Sequence, residues 1–415
     1  MNTKRYTIGL DDHDSPVAGC TTHFSFLLIK ELEREGLKLV GFPRLVRLNP
    51  NIPWKTRGNA AVNFTVETDR DPSEVLDLIW DKSLQYVSEI SKGTQYGRSP
   101  GVAIVKDVKT NELGWLYRKA VTDVVTRDLV EKIAVKTGVL FQGGRGVVGS
   151  VSSMGFRGEG KTLELLTYRL PENWEKRREV DLQSLINFEE RYFPDVYANV
   201  DYINGKPLIL SHGRDPVLFG IRGRNPSVLL EGLKMIEVSE MIDGFMIFET
   251  NQGTDHHFLR IGDKPYQSII AEVEVKDVKI MPGGDCIIFS THGTMIVYKE
   301  TGELNDMARE LMEGDVIRVY GAVKPSVSFG KIIEPERIEV LRLSSVTKYL
   351  NPKCPKCGNS SESLGKNKGF RCRRCNYRFN SEKIPIEYHR RISIGTYQSR
   401  YYRHLTRPIF WENES

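Results

Sequence analysis

Cys354-Pro355-Lys356-Cys357 and Cys372-Arg373-Arg374-Cys375 set two Cys-x-x-Cys pairs 14 residues apart near the end of a 415-residue chain. A tetrahedral zinc ion takes four soft donors at about 2.3 Å, and two intervening residues let one tight turn present both thiolates. Gly358 and Asn376, which follow the pairs, tolerate the left-handed backbone of such turns. A redox motif needs one pair at a helix start and leaves the second unexplained. With all four positions filled by protein, the expected zinc is structural. Cys20 and Cys286 stand alone, so the cysteines do not form a disulfide framework.

Outward from the pairs, residues 353–378 hold eight Lys or Arg against Glu362 alone. Four thiolates and a divalent ion still leave this segment strongly positive, as a footprint on a phosphate backbone requires. After it, Tyr397, Tyr401, Tyr402, Phe410 and Trp411 alternate with Arg390, Arg391, Arg400, Arg403 and Arg407. Aromatics beside guanidinium groups stack on unpaired bases and pair with phosphates, although such rings also serve to pack a tail. Lys356, Arg373, Arg374, Arg403 and Arg407 are the candidate RNA contacts.

Before the cysteines, five short β runs fall at residues 269–278, 286–290, 295–298, 316–323 and 337–343, with a helix expected at 305–312. That order is the pattern of an OB-fold barrel, used either as a single-strand binder or as a spacer. The first 260 residues alternate helix and strand. Strands are expected at 6–10, 60–66, 102–105, 163–169, 208–210 and 244–248, and helices at 22–34, 71–90, 120–136, 181–192 and 226–231. The class is multidomain, mixing α/β and α+β. A length of 415 residues exceeds one ordinary core, and 40% hydrophobic with 27% charged residues suits folded domains. The aspartates at 11, 12 and 14 interrupt any signal-peptide stretch, and no apolar run reaches the roughly 20 residues of a membrane helix. A cytoplasmic protein with no membrane partner is expected.

Asp11, Asp12 and Asp14 crowd three carboxylates at the C-terminal end of the first strand. Like charges so close repel, and hard Mg²⁺ relieves this while bridging to nucleotide phosphates. Thr21 and Thr22 open the next helix, where an anion is favoured, unless the loop is only an acidic turn with a threonine cap. Arg44, Arg47, Lys55 and Arg57 follow and suit ATP phosphates. Residues 155–162, Gly-Phe-Arg-Gly-Glu-Gly-Lys-Thr, match the P-loop pattern, but an alternating strand follows where a long helix is required. Gly144-Arg145-Gly146-Val147-Val148-Gly149 fits GxGxxG, with neither a convincing strand before it nor the acid expected after it, and reads as a helix start.

The acidic loop (Gly9 to Ser15), Cys20-Thr21-Thr22, residues 41–50, Lys55-Thr56-Arg57-Gly58-Asn59, residues 215–223, residues 250–255, the paired cysteines and Arg403-His404-Leu405-Thr406-Arg407-Pro408 together resemble the archaeal tRNA-Ile 2-agmatinylcytidine synthetase family over nearly the whole chain. His13 departs from the family's usual threonine. The resemblance implies a kinase-like catalytic domain, a ferredoxin-like domain, an OB fold and a zinc ribbon. The divisions expected are 1–118, the N-terminal part of the catalytic region, and 119–264, its second α/β part with the ferredoxin-like domain. The barrel would occupy 265–346, and the ribbon with its basic aromatic tail 347–415. It further implies an ATP-dependent C–N ligase that replaces the C2 oxygen of the wobble cytidine in the CAU anticodon of tRNA-Ile with agmatine, so that AUA is read, with ATP consumed to AMP. Thr21 matches the family's autophosphorylated threonine. Asp11, Asp12 and Asp14 match its metal loop, and Arg44, Arg47, Lys55, Arg57 and Asn59 fall where phosphates would bind. The cofactors implied are ATP, Mg²⁺ and Zn²⁺. The rivals are a non-catalytic RNA-binding factor and a P-loop NTPase using Lys161; oligomeric state is not specified by the sequence.

Overall fold

The computed structural model describes residues 3–55, 58–106, 111–211, 213–345, 347–401 and 403–414. It divides into two compact units: Met1–Ile270 with Tyr320–Glu336 and Tyr401–Ser415, and Ala271–Val319 with Arg337–Arg400. In chain order the first ten strands are β1 (Lys4–Asp11), β2 (Lys38–Arg47), β3 (Ala60–Thr68), β4 (Gly101–Lys106), β5 (Leu140–Gly143), β6 (Thr162–Arg169), β7 (Val200–Asp201), β8 (Lys206–Pro207), β9 (Val217–Gly223) and β10 (Ile242–Thr250). The helices among them are α1 (Thr21–Arg34), α2 (Pro72–Gln85), α3 (Asn111–Thr122), α4 (Arg127–Thr137), α5 (Val147–Ser153), α6 (Leu182–Tyr192) and α7 (Pro226–Met235).

Eight of these strands form one sheet in the order β5-β4-β1-β3-β2-β10-β6-β9. Its β1 end is covered on both faces. Tyr6, Ile8, Leu10, Val102 and Ile104 pack with α1 and α2, whereas Ala103 and Val105 pack with α3, α4 and α5. Gly9 faces α5 so closely that a Cβ there would lie 2.1 Å from the Ser150 carbonyl oxygen. At the other end, Leu163, Leu165 and Ile221 bury against Leu185, Phe188 and Leu229 of α6 and α7.

Two local readings are corrected. β2 was not expected, because Gly41-Phe42-Pro43 interrupts its alternation; there the register against β3 shifts between Val40 and Arg44. The helix expected at 120–136 is two, α3 and α4, parted where Thr126 caps α4 by accepting from the Leu129 N–H. The β-branched residues around the break are poor helix formers. The domain division expected at 118/119 falls inside α3.

The remaining strands include β11 (Phe258–Leu259), β12 (Ser268–Ile280), β13 (Cys286–Ser290), β14 (Gly293–Val297), β15 (Val316–Ser326) and β16 (Gly330–Arg342), with α8 (Glu303–Ala308) before β15. β12 to β16 pair in sequence 12-13-14-16-15, and β12 also pairs with β15, so five strands close a barrel. The barrel helix is shorter than expected and begins earlier. Further on, Ser361–Ser363, Phe370–Cys372 and Arg378–Phe379 form a three-stranded sheet.

His23 in the first turn of α1 is buried, with Nδ1 2.9 Å from the Tyr86 hydroxyl. Burial pushes its pKa from 6.5 down to about 4. The unfolded chain therefore holds the extra proton between those values, and His23 makes the fold lose stability as pH falls from 6.5 towards 4. His23→Gln is expected to reduce the slope of unfolding free energy against pH in that window by about 1.4 kcal/mol per unit. Denaturant titrations at several pH values check this; an unchanged slope overturns it.

Candidate active site

β1 ends at Asp11, whose carboxylate is enclosed by the start of α5. A Cβ on Gly149 would lie 1.9 Å from Asp11 Oδ2, and one on Gly146 would lie 2.7 Å from the Asp11 carbonyl oxygen. Glycine is required where backbone comes this close. Asp12 adopts φ +63°, its N–H donates to Asp11 Oδ1 at 2.7 Å, and its own carboxylate accepts from the Ser99 N–H and from Arg145 Nη2, both at 3.2 Å. Desolvation raises the pKa of Asp11 well above the carboxylate range, with Asp12 adding to it. Desolvation also raises Asp12, against the pull of Arg145. Asp12 is partly compensated by Arg145 and Arg98, whereas burial and the neighbouring Asp12 and Asp14 disfavour the charged form of Asp11.

Two adjoining cavities share Asp11 and Asn59. A 570 Å³ cleft is lined by Asp11, Asp14, Thr21, Arg47, Asn59, Glu164, Arg222 and His404, and a 140 Å³ pocket by Asp11, Asp12, Lys55, Asn59 and Arg145. Thr21 enters the cleft from the first turn of α1, its hydroxyl 3.3 Å from the His13 N–H. Opposite, Arg47 and Arg222 flank Glu164 at 3.4 and 3.6 Å, and Gln252 donates to it at 2.6 Å. Arg47 Nε is a buried donor with no acceptor. His404 is held neutral, its pKa pushed well below 6.5 by burial and by Arg47, Arg222 and Lys55. Burial and Arg403 also lower Lys55. This wall is short of negative charge.

The expected residues do not all meet. Asp11, Asp14, Thr21, Arg47 and Asn59 share the cleft, with Asp12 and Lys55 in the adjoining pocket. The three aspartates form no cluster within ligand distance among the described residues. Arg44 is three residues from Arg47, and an odd offset on a strand turns it to the opposite face. There it pairs with Glu249 at 3.3 Å and lines a separate cavity with Arg5 and Thr65. Arg57 lies outside the described residues. His13 points into the core, stacked on Phe24 at 4.2 Å with Nε2 2.8 Å from Ser83 Oγ. Lys161 pairs with Glu249, and β6 begins at the next residue, so the P-loop pattern has no helix to open. A short strand, β5, does precede the GxGxxG run, and α5 follows it. Arg222 and His404 fall within the sequence blocks quoted above but were given no role there, and Glu164 was not singled out at all.

Among the candidate RNA contacts, Lys356, Arg373 and Arg374 are exposed. Arg403 instead reaches Glu334 at 3.6 Å, Glu336 at 3.3 Å and Asn51 at 2.7 Å. Burial would raise the pKa of Glu336, but Arg403 and His257 hold it down at about 2. The Arg407 backbone N–H donates to Asp255 and its guanidinium to the Trp411 carbonyl. These two arginines anchor the tail because buried acids and carbonyls await them, which local composition does not reveal.

The four paired cysteines converge, with every Sγ within 4.8 Å of the others. The Sγ separations of 3.7, 3.5 and 3.5 Å compare with about 3.8 Å for a tetrahedron of 2.3 Å bonds. Gly358 at φ +69° and Asn376 at φ +56° take the left-handed conformation expected after each pair. The donor set therefore fits zinc and leaves no open coordination position.

Residues 7–143 match the family model of the TiaS TCKD domain, 144–257 that of the TiaS FLD domain, and 351–392 that of the TiaS C-terminal zinc ribbon domain. The tRNA-Ile 2-agmatinylcytidine synthetase TiaS of Saccharolobus islandicus is 46% identical over 413 residues, covering 98% of this chain and 93% of its own. That of Pyrococcus horikoshii is 35% identical, covering 97% and 96%. A crystal structure of TiaS in complex with its isoleucine tRNA and ATP superposes with TM-score 0.86 at 32% identity, covering 98% of this chain and 97% of that one. A complex of TiaS with the same tRNA, AMPCPP and agmatine superposes with TM-score 0.84 at 29% identity, with the same coverage. A chain with an acidic loop facing a cation-rich cleft and four converging cysteines thus belongs to the tRNA-Ile 2-agmatinylcytidine synthetase family.

Proposed function

We propose that this protein is an ATP-dependent C–N ligase of the cytoplasm that forms 2-agmatinylcytidine at the first anticodon position of tRNA-Ile bearing CAU. The observation that carries this reading is the charge imbalance across the cleft and its adjoining pocket. Arg47 has an unused buried donor and Lys55 and His404 are pushed towards neutrality on one side, while Asp11 and Asp12 are pushed towards protonation on the other. A phosphate group beside a divalent cation supplies what each side lacks. Solved relatives covering 97% of their length against this chain hold ATP or its analogue, the isoleucine tRNA and agmatine.

A ring carbonyl oxygen is a poor leaving group. Transfer of one phosphoryl group from ATP to the cytidine O2 makes it a good one, after which the agmatine amine attacks C2, gives up a proton, and the C2–O bond breaks to release phosphate; transfer of a second phosphoryl group to Thr21 would take the nucleotide on to AMP. Such transfer asks chiefly for positioning and charge neutralisation. In this reading Arg47, Lys55 and Asn59 hold the phosphates, assisted by Arg222, and Thr21 is the phosphoryl-accepting threonine. Asp11, with Asp12 and Asp14 beside it, would hold Mg²⁺; bound there, the ion would neutralise charge developing on the phosphates. Arg145 and the Ser99 N–H fix the Asp12 carboxylate on the pocket side. The reacting base must leave its stack to reach the cleft, at a cost of a few kcal/mol. We further propose a kinase-like domain within the first part of the sheet and a ferredoxin-like domain within residues 119–264, with the OB barrel and ribbon binding tRNA through Lys356, Arg373 and Arg374.

Asp12→Ala is expected to reduce agmatine incorporation into tRNA-Ile by at least about 100-fold, with tRNA affinity nearly unchanged. A filter assay with radiolabelled agmatine checks this, and full activity overturns the proposed centre. Lys161→Ala should leave turnover within a few-fold of wild type; collapse of ATP use would instead restore the P-loop reading. Cys372→Ser is expected to lose zinc and weaken tRNA binding, so a zinc content equal to wild type by elemental analysis would refute the ligand set.

A further inference from the structure

Beside the cleft runs a groove of 730 Å³ that no part of the mechanism uses. Lys176, Arg177, Lys206 and Arg214 line it and are exposed, as is Tyr401 at 51%, and the half-buried Trp174 lines it too. Its two acids are engaged: Glu175 pairs with Arg214 at 3.2 Å, and Asp201 accepts from the Ile203 and Asn204 N–H groups and the Asn204 amide. The wall is stiff, because Arg178 donates to the carbonyls of Val217, Gly213 and Asp215. Leu208, Leu210 and Ser211 line both groove and cleft, so the two cavities meet along one segment. The β7–β8 hairpin beside them exposes Tyr202 and Ile203, at 55% and 61%.

We propose that this groove binds the single-stranded RNA flanking the reacting nucleotide, with backbone phosphates on Lys176, Arg177, Lys206 and Arg214 and an unpaired base against Tyr401. The assignment rests on reading the cleft as the place where a nucleobase reacts. A nucleotide held there leaves its neighbours joined to it by short phosphodiester links, and these must pass over the rim at Leu208–Ser211. Surplus cations interleaved with exposed rings are what a single strand requires. A protein partner with an acidic surface would use the charges but not the rings.

The test is tRNA-Ile binding by the full-length Arg177→Ala/Lys206→Ala protein from 50 to 300 mM salt. The charge-keeping Arg177→Lys/Lys206→Arg protein is measured beside it. Loss of two phosphate contacts is expected to reduce the slope of log affinity against log salt by about 1.4, and to weaken affinity at low salt by about tenfold. The charge-keeping pair should retain the wild-type slope. A wild-type slope in the alanine pair, or an equal fall in both, overturns the assignment. Because this slope is read on binding alone, it is decided separately from agmatine incorporation by the wild-type enzyme, on which the reading of the cleft depends.

Discussion

The close approach of α5 to β1 is the constraint on which the acidic side of the site depends. Gly9 and Gly149 leave no side-chain layer between the two elements, so the Ser150 carbonyl and the Asp11 carboxylate occupy space that a methyl group would claim. The desolvation that raises Asp11 is therefore tied to backbone packing against α5. A carboxylate raised in this way gains from a cation bound beside it.

The opposite wall is arranged by a different device. Glu164 takes part of the charge of Arg47 and Arg222, which permits two guanidinium groups to be held beside one cleft without mutual repulsion ejecting them. It does not saturate them, since Arg47 keeps an unused Nε donor. A phosphate entering the cleft thus meets donors already oriented and only partly compensated, which is the condition under which fixed dipoles and charges stabilise a developing anion at little reorganisation cost. His404, kept neutral among these cations, adds shape and a ring nitrogen without adding repulsion.

How much of this was legible in the sequence follows the range of each interaction. The zinc site was readable because both turns are local and each carries its own spacing and left-handed residue. The barrel strands were readable where they alternate, although β16 begins at Gly330, well before the run expected from residue 337. β2 was lost because the pattern breaks at Gly41-Phe42-Pro43, and with it went the register that turns Arg44 and Arg47 to opposite faces. His404 could not be placed at all: its partner Gln252 is 152 residues away in sequence, and Arg222 is 182 away. The same distance hides the partners of Arg403 and Arg407. A stretch alternating arginine and tyrosine does not show that Glu334 and Glu336 pair with Arg403 or that the Trp411 carbonyl accepts from Arg407.

Those acids explain why the tail that brings His404 to the cleft acts as a fixed part of the site. Glu336, on the barrel strand β16, accepts from Thr406 at 2.6 Å and pairs with both Arg403 and His257. Withdrawing the tail would strand that carboxylate in a buried position beside His257 alone, a change that costs far more than parting an exposed ion pair. The Gly253 and Asp255 N–H groups also donate to the His404 and Leu405 carbonyls, so the segment is clamped through its backbone as well as its charges. Leu405 packs among Val46, Leu48 and Tyr117, Arg403 is held by Glu334, Glu336 and Asn51, and between them His404 lines the cleft. The wall of the cleft that includes His404 is consequently complete only once Glu336 is in place to hold Arg403 and Thr406.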